Sequence, residues 1–155
     1  MPNEVSRILQ LLTDLQHGES WVGTSFKEAL QGVNAEAASI SDNHNSIWQL
    51  VSHLIYWRTR VYNRLNGNNN PPPFMDFRLP EELTEETWKQ TIHDFELSYH
   101  TLRTAIHNFK EENLSKPSPK EGQTFYQLLH GSLLHDAYHL GQIVLIKKNR
   151  LNAAI

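Results

Sequence analysis

The chain has 155 residues, of which 39% are hydrophobic and 20% charged, with a net charge of −3 and no cysteine. These values fit one compact domain over residues 1–155 with a hydrophobic core. The acidic balance argues against a nucleic-acid partner, and the lack of cysteine excludes disulfides, thiolate zinc sites and a cysteine nucleophile. No stretch approaches the roughly 20 apolar residues of a membrane span, and the N-terminus has no signal-peptide pattern, so we expect a cytoplasmic protein.

The first part of the chain contains the signals for three helices. Apolar residues recur at helical spacing between Pro2 and His17, and Gly18 follows, which predicts a first amphipathic helix over this range. A serine followed three residues later by Glu or Gln is a pattern that caps a helix start. It occurs twice, and predicts a short helix over residues 25–32 and a second long helix over residues 46–66.

The second part of the chain begins with a segment that stops helices. Residues 67–80, GNNNPPPFMDFRLP, contain three consecutive prolines, which lack backbone donors, so we interpret the segment as a connector. A third long helix is predicted over residues 84–109, before a turn containing Pro and Gly at residues 115–122. A fourth is predicted over residues 124–148, opened by another capping box.

Four long helices without strand-like alternation predict an all-α protein, a four-helix bundle with loops of uneven length. The first connection is long enough for a crossover. Basic residues cluster only where the fourth helix should end, and we interpret them as compensation of its dipole. They are Lys147, Lys148 and Arg150.

Two histidines four residues apart carry the main chemical signal. His135 and His139 project from one face of the predicted fourth helix, in a row that should face the interior. Buried imidazoles need partners for both nitrogens, which either a shared metal or hydrogen-bonded core contacts would provide. The pair resembles the HExxH of zinc proteases, but Asp136 replaces the Glu and no further ligand follows, so that interpretation fails. His53, in the middle of the second helix, is the best upstream candidate for a third ligand.

The other six histidines are not expected to bind this metal. His93, His100 and His107 form a row opposite the apolar stripe of the third helix, and we expect them to be solvated. His130 points about 140° away from His135 on the helical wheel. His17 and His44 lie at helix ends. Trp57, near His53, is interpreted as a core residue.

Three segments resemble the DinB-like (DinB/YfiT-like) superfamily of bacterial metal-dependent proteins. They are HNSIWQLVSHLIYW at 44–57, LLHGSLLHDAYHLGQIVLIKK at 128–148 and, more loosely, ESWVGTSFKEAL at 19–30. The resemblance in order and spacing spans nearly the whole chain. It implies a four-helix bundle with up-down-down-up connectivity, often dimeric.

The same resemblance implies a metal site. The family's three ligands fall here on His53, His135 and His139, and its members have been associated with zinc, nickel, iron and manganese. We favour zinc or nickel, with iron or manganese as alternatives. Some relatives are transferases that use bacillithiol, mycothiol or glutathione.

Three neutral imidazoles would leave a divalent ion its full charge and an open position, suited to a thiolate or to hydroxide. The leading hypothesis is therefore a metal-dependent thiol S-transferase acting on small electrophiles, since a chain without cysteine must take its thiol from a cosubstrate. The alternatives are a metal-dependent hydrolase and a non-catalytic, stress-related metal-binding protein. Gln142, Asp136 and Tyr138 are candidates for contacts to ligands or substrate, although a buried polar contact, an ion pair and simple packing would also account for them.

Overall fold

The structure, a computed structural model, describes residues 3–153, and side chains as far as residue 150. Within this range the secondary structure is helical, with one isolated bridge between Pro117 and Thr124 and no strand. The helices are α1 (Glu4–Gln16), α2 (Phe26–Leu30), α3 (Ala35–Ser39), α4 (Ile47–Leu65), α5 (Glu85–His107) and α6 (Phe125–Ala153), with a short 3-10 helix at Glu111–Asn113. The all-α prediction is confirmed for these residues. The up-down-down-up order stays a prediction.

The predicted capping boxes form. Ser25 and Ser46 each accept a hydrogen bond from the backbone three residues later, and the Glu or Gln there binds back to the serine N–H. The backbone N–H groups at each helix start are thereby satisfied. Thr124 and Gln127 exchange the same bonds at the start of α6. These local signals are the reason that the helix starts agree closely with the sequence-based expectation.

One helix was not predicted, and the ends of two others differ from the prediction. A short helix, α3, was not predicted; its signal is Asn34, whose side chain accepts a hydrogen bond from the N–H of Ala37. The third long helix ends at His107 rather than near Phe109. The last helix continues past Lys148 to Ala153. Pro2, the predicted start of the first helix, lies outside the described residues.

Arg150 lies in the last turn of its own helix, α6, as expected, and two residues of the basic cluster also bind the ends of other helices. Lys147 Nζ donates to the carbonyl oxygens of Ala29 at 2.9 Å and Gln31 at 2.6 Å, at the end of α2. Arg150 donates to the carbonyl oxygen of Ile40, which follows α3, at 2.9 Å. The two cations therefore stabilise the carboxyl ends of the short helices and attach the long connection between α1 and α4 to α6.

The core lies between the four long helices. α4 contacts both α5 and α6, and α1 contacts the same two helices from the other side. Because apolar residues recur at helical spacing, each helix buries one stripe. Side chains with almost no exposure include Ile8, Leu12, Trp48, Leu54, Phe95, Leu102, Leu129, Leu140 and Ile143. The contact between α4 and α6 brings the predicted metal ligands onto facing helices.

No helix within residues 3–153 combines the length and the apolar character that crossing a membrane requires.

Candidate metal centre

The three predicted histidines meet between α4 and α6. The Nε2 of His135 lies 3.0 Å from the Nε2 of His53 and 3.1 Å from the Nε2 of His139. One ring nitrogen from each residue lies within 4.8 Å of the others, a group that could hold a metal ion. His53 and His139 are each 7% exposed, whereas His135 is half-buried at the edge of a cavity. Among the described residues, no second group of three His, Asp or Glu side chains has this arrangement.

Two acceptors fix the tautomers of the outer histidines. His53 Nδ1 lies 2.7 Å from Asp76 Oδ1, and His139 Nδ1 lies 2.6 Å from Gln142 Oε1. Carboxylate and amide oxygens accept hydrogen bonds, so both Nδ1 atoms carry the proton. In this tautomer each Nε2 presents a lone pair, directed at His135. Carboxylate and amide partners of this kind commonly orient histidine ligands of metals.

Burial lowers the pKa of two of the rings, His135 and His139. Burial, with the positive charges that His139 and His53 would carry, lowers the pKa of His135 to about 4. Burial also lowers the pKa of His139, against the opposing effect of the hydrogen bond to Gln142. Nitrogen lone pairs that converge in this way repel one another unless a proton or a cation lies between them. The donor set is therefore suited to a divalent ion that accepts imidazole, such as zinc or nickel.

Asp136 lies beside the trio but is directed elsewhere. Its Oδ2 accepts hydrogen bonds from Arg58 Nη2 at 2.8 Å and Nε at 3.1 Å, and both side chains are buried. The distance from Asp136 Oδ1 to His135 Nδ1 is 4.0 Å. Arg58 also lies over the ring of Phe95 and donates to Gln16. The aspartate thus joins α6 to α4 through an ion pair next to the candidate ligands.

The other two candidates lie at the rim of the centre. Gln142 is the hydrogen-bond acceptor of His139, and its Nε2 is 3.5 Å from the hydroxyl of Tyr138. Tyr138 is 65% exposed, and its ring lies 5.0 Å from that of His139. It is not a packed core residue. The interpretation of Trp57 as a core residue was also wrong. Trp57 is half-buried and lines the cavity, and its ring lies 5.8 Å from that of His135.

Sequence reasoning missed two residues of the centre, Asp76 and Phe77. Both lie in the proline-containing segment that was interpreted only as a connector. The Phe77 ring stacks on that of His53, with 4.0 Å between centroids and 13° between planes. The sequence did contain a signal for Asp76 as a partner of His53, because Asp76 is the only acidic residue between Asp42 and Glu81. Its position beside His53 depends on how the segment returns over α4, which no local pattern specifies.

The remaining histidines take no part in the centre. His93, His100 and His107 are exposed, as expected, and His100 lies 3.3 Å from Glu96. His130 contacts Glu4 at 2.9 Å. At helix ends, His17 binds Glu96 and His44 contacts the carbonyl oxygen of Asn45.

A cavity of about 480 Å³ opens beside the three histidines. This volume is in the range of small-molecule sites, roughly 300–1,000 Å³. Its walls come from α4, α6 and the turn before α6. Gly131 of α6 lines the cavity, and a Cβ added there would meet no heavy atom within 4 Å. The centre is thus accessible to a small molecule.

Comparison with known proteins agrees with the helices and the histidine cluster. A family model described as the DinB superfamily matches residues 5–143, which is most of the chain and includes His53, His135 and His139. Neither the curated proteins nor the solved structures contain a significant match. Because the family model covers so much of the sequence, the chain belongs to the DinB superfamily.

Proposed function

We propose that this protein binds one divalent metal ion through His53, His135 and His139 and transfers a low-molecular-weight thiol to a small electrophile. The observation that supports this most directly is the convergence of three Nε2 atoms beside a cavity of substrate size. The chain contains no cysteine, so the nucleophilic thiol would come from a cosubstrate.

A bound divalent ion would supply the positive charge that favours thiolate over thiol. In the transfer, the sulfur electron pair forms a new bond to the electrophilic carbon while the leaving group departs with the electrons of its own bond. The thiol proton passes to solvent. Asp76 and Gln142 hold the Nδ1 protons of His53 and His139, and so keep their Nε2 atoms directed at the centre. Tyr138, exposed at the rim, can donate a hydrogen bond to the electrophile.

The metal is proposed to be zinc or nickel, because an all-imidazole donor set suits these ions better than it suits manganese. Iron and manganese are the alternatives. Hydrolysis by a metal-bound water is the second candidate activity, favoured by the half-exposed position of His135. Metal binding without catalysis is the third possibility.

The first test is elemental analysis of wild type, His53→Ala and His93→Ala. We expect close to one divalent ion per chain in wild type and in His93→Ala, which is the control because His93 is exposed on α5. The ion should be lost from His53→Ala. Full metal retention by His53→Ala would remove this residue from the site.

The second test separates the activities. Metal-loaded protein is assayed with bacillithiol, mycothiol or glutathione and a panel of alkyl halides and epoxides, and separately with esters and amides in the absence of thiol. Thioether formation that chelation abolishes supports the transferase. Metal-dependent hydrolysis alone supports the hydrolase. If chelation lowers the melting temperature but neither panel reacts, the protein is a metal-binding module.

We also propose a cytoplasmic protein with one domain over residues 1–155, up-down-down-up helices, and no nucleic-acid or membrane partner. A homodimer is supported by an exposed apolar stripe on α6, where Leu134, Tyr138 and Leu145 are at least 60% exposed. Sedimentation should show a dimer that Leu134→Glu with Leu145→Glu dissociates. A monomeric wild type would remove the dimer from the proposal.

A further inference from the structure

The far end of the cavity contains a buried arginine that has no acidic partner. Arg64, in the last turn of α4, is 5% exposed and lines the cavity. Its Nε donates to Asn69 Oδ1 at 2.9 Å. In the part of the chain that the structure describes, its two terminal nitrogens have no hydrogen-bond acceptor, and no carboxylate lies within ion-pair distance. The terminal nitrogens of this guanidinium are therefore available to an anion that enters the cavity.

Two other residues of the lining bear on the charge of the cavity. Lys120, an exposed side chain, also lines it and forms no ion pair among residues 3–150. Asp136, the one acid of the lining, is already paired with Arg58. Burial, together with the nearby charge of Arg60, lowers the pKa of Arg64 from its ordinary value, as expected for a cation in surroundings that lack negative charge. The lining therefore has positive groups without an acidic partner and no unpaired acid.

Between the two polar ends the walls are apolar, formed by Trp57, Val61 and Leu128.

The two ends lie on one face of α4. Arg64 follows His53 by eleven residues, which returns to nearly the same direction after three turns and about 16 Å of helix. Both side chains line the cavity between these positions. A molecule that contacts both must have one group at the histidines, a short apolar body and an anionic group at the opposite end.

We propose that the substrate of the metal centre carries a carboxylate and that Arg64 binds this carboxylate through its terminal nitrogens. The inference rests on the proposed function for the position of the reacting group at the histidines. A planar guanidinium matches a carboxylate with two parallel hydrogen bonds. Arg64 would thus determine which thiols or electrophiles the enzyme accepts.

The test measures binding of matched ligands to nickel-loaded protein by calorimetry. The ligands are mercaptocarboxylic acids from mercaptopropionate to mercaptohexanoate, the alcohols of the same lengths, and the corresponding phosphonates. In wild type we expect one acid to bind at least about tenfold more tightly than its alcohol, with an optimum length. Arg64→Met should remove this preference and leave the affinity for the alcohol unchanged.

Arg60→Met is the matched control. This variant removes the same charge one turn earlier on α4. Arg60 also donates a hydrogen bond to Asn69, but Arg60 does not line the cavity. It should keep the preference for the acid. If Arg64→Met keeps the preference as well, or if Arg60→Met loses it equally, the proposal is wrong, because the general positive field would explain the result. Stronger binding of the phosphonates than of the acids would overturn the assignment to a carboxylate.

A metal-free arm distinguishes failure of this inference from failure of the proposed function. Hexanoate and hexanol are titrated into metal-free protein, and the indole N–H signal of Trp57 is followed by NMR. Hexanoate binding that requires Arg64 supports the anion site even if no metal binds. Metal and thiol binding without any dependence on Arg64 supports the proposed function and rejects the anion site. Melting curves and metal content of each variant show that the fold and the centre are intact.

Discussion

Asp76 Oδ1 accepts a hydrogen bond from His53 Nδ1 at 2.7 Å, and so places a carboxylate directly behind the proposed metal ligand of α4. The same oxygen accepts the backbone N–H of Phe77 at 2.8 Å, which holds the carboxylate in position. The bond fixes the orientation of the imidazole and directs its Nε2 at the centre. The candidate centre is therefore built from three segments of the chain, two helices and a connector.

Replacement of this carboxylate tests its contribution to metal affinity. In Asp76→Ala we expect the affinity to fall about 10–100-fold, since loss of such a partner has this effect at other histidine sites. Asp76→Asn should be intermediate, because the amide can accept the hydrogen bond but carries no charge. The measurement is a competition titration with a chromophoric chelator. Glu81→Gln, an exposed change directly after the connector, is the control. Equal affinity in all variants would show that Asp76 does not support a metal ligand.

The buried ion pair between Arg58 and Asp136 should affect stability more than chemistry. Asp136→Ala leaves the guanidinium without a counter-charge, and Arg58 Nη1 already lacks a partner among the described residues. We expect a loss of about 3–5 kcal/mol in the free energy of unfolding, measured by urea denaturation. The double variant Arg58→Met with Asp136→Leu should recover most of this loss, because neither charge remains buried. Additive losses in the double variant would contradict this account.

Gly131 allows the cavity to be filled without a clash at the backbone. Gly131→Leu should keep the metal but weaken thiol binding at least about tenfold, since the side chain occupies the space beside the histidines. Gly141→Leu is the matched control, because Gly141 lies on the same helix, has equally open space, and does not line the cavity. Isothermal titration with the thiol measures the difference. Equal thiol binding by the two variants would show that substrate does not use this cavity.

The stability of the protein should fall in acid partly through Glu96. Burial raises the pKa of this carboxyl, but hydrogen bonds from Gln16 and His17 and the charges of His17 and His100 outweigh it, so the pKa is lowered overall. Glu96 therefore contributes stability above its unfolded pKa, about 4.3, and loses it as the pH falls through the lowered value. Urea midpoints followed from pH 7 downward should fall further in wild type than in Glu96→Gln.

The control for this prediction is Glu86→Gln, an exposed change on the same helix. Its acid profile should follow that of wild type. If Glu96→Gln has the wild-type profile too, the contacts of Glu96 do not stabilise the folded state.

Most of the helices could be predicted from the sequence, because their signals are local. Ser46 and Gln49 act within one turn, and the spacing of His135 and His139 places both on one face whatever surrounds them. His53 could be selected as their partner from its position within an apolar stripe. Asp76, Arg64 and Lys120 could not be placed, because their positions depend on how a connector and two helix ends meet across the fold.

The basic residues near the chain end illustrate the same limit. Their positive charge indicates an interaction with a helix carboxyl end, and this is what Lys147 and Arg150 make. Which helix they stabilise depends on tertiary contacts. The sequence suggested their own helix, and Arg150 does lie in the last turn of α6, but the hydrogen bonds of both residues go to the ends of α2 and α3.

Phe77 has a φ of 52°, a left-handed conformation that a bulky residue adopts only when its surroundings enforce it. The Phe77 ring stacks on His53, and the N–H of Phe77 donates to Asp76, so a change in the orientation of His53 would act on the connector. We therefore expect metal binding at His53 to increase the order of the connector. A protease that cleaves near Met75, which is 79% exposed, should cut metal-loaded protein more slowly than metal-free protein, and the rate of cleavage becomes a measure of occupancy at the centre.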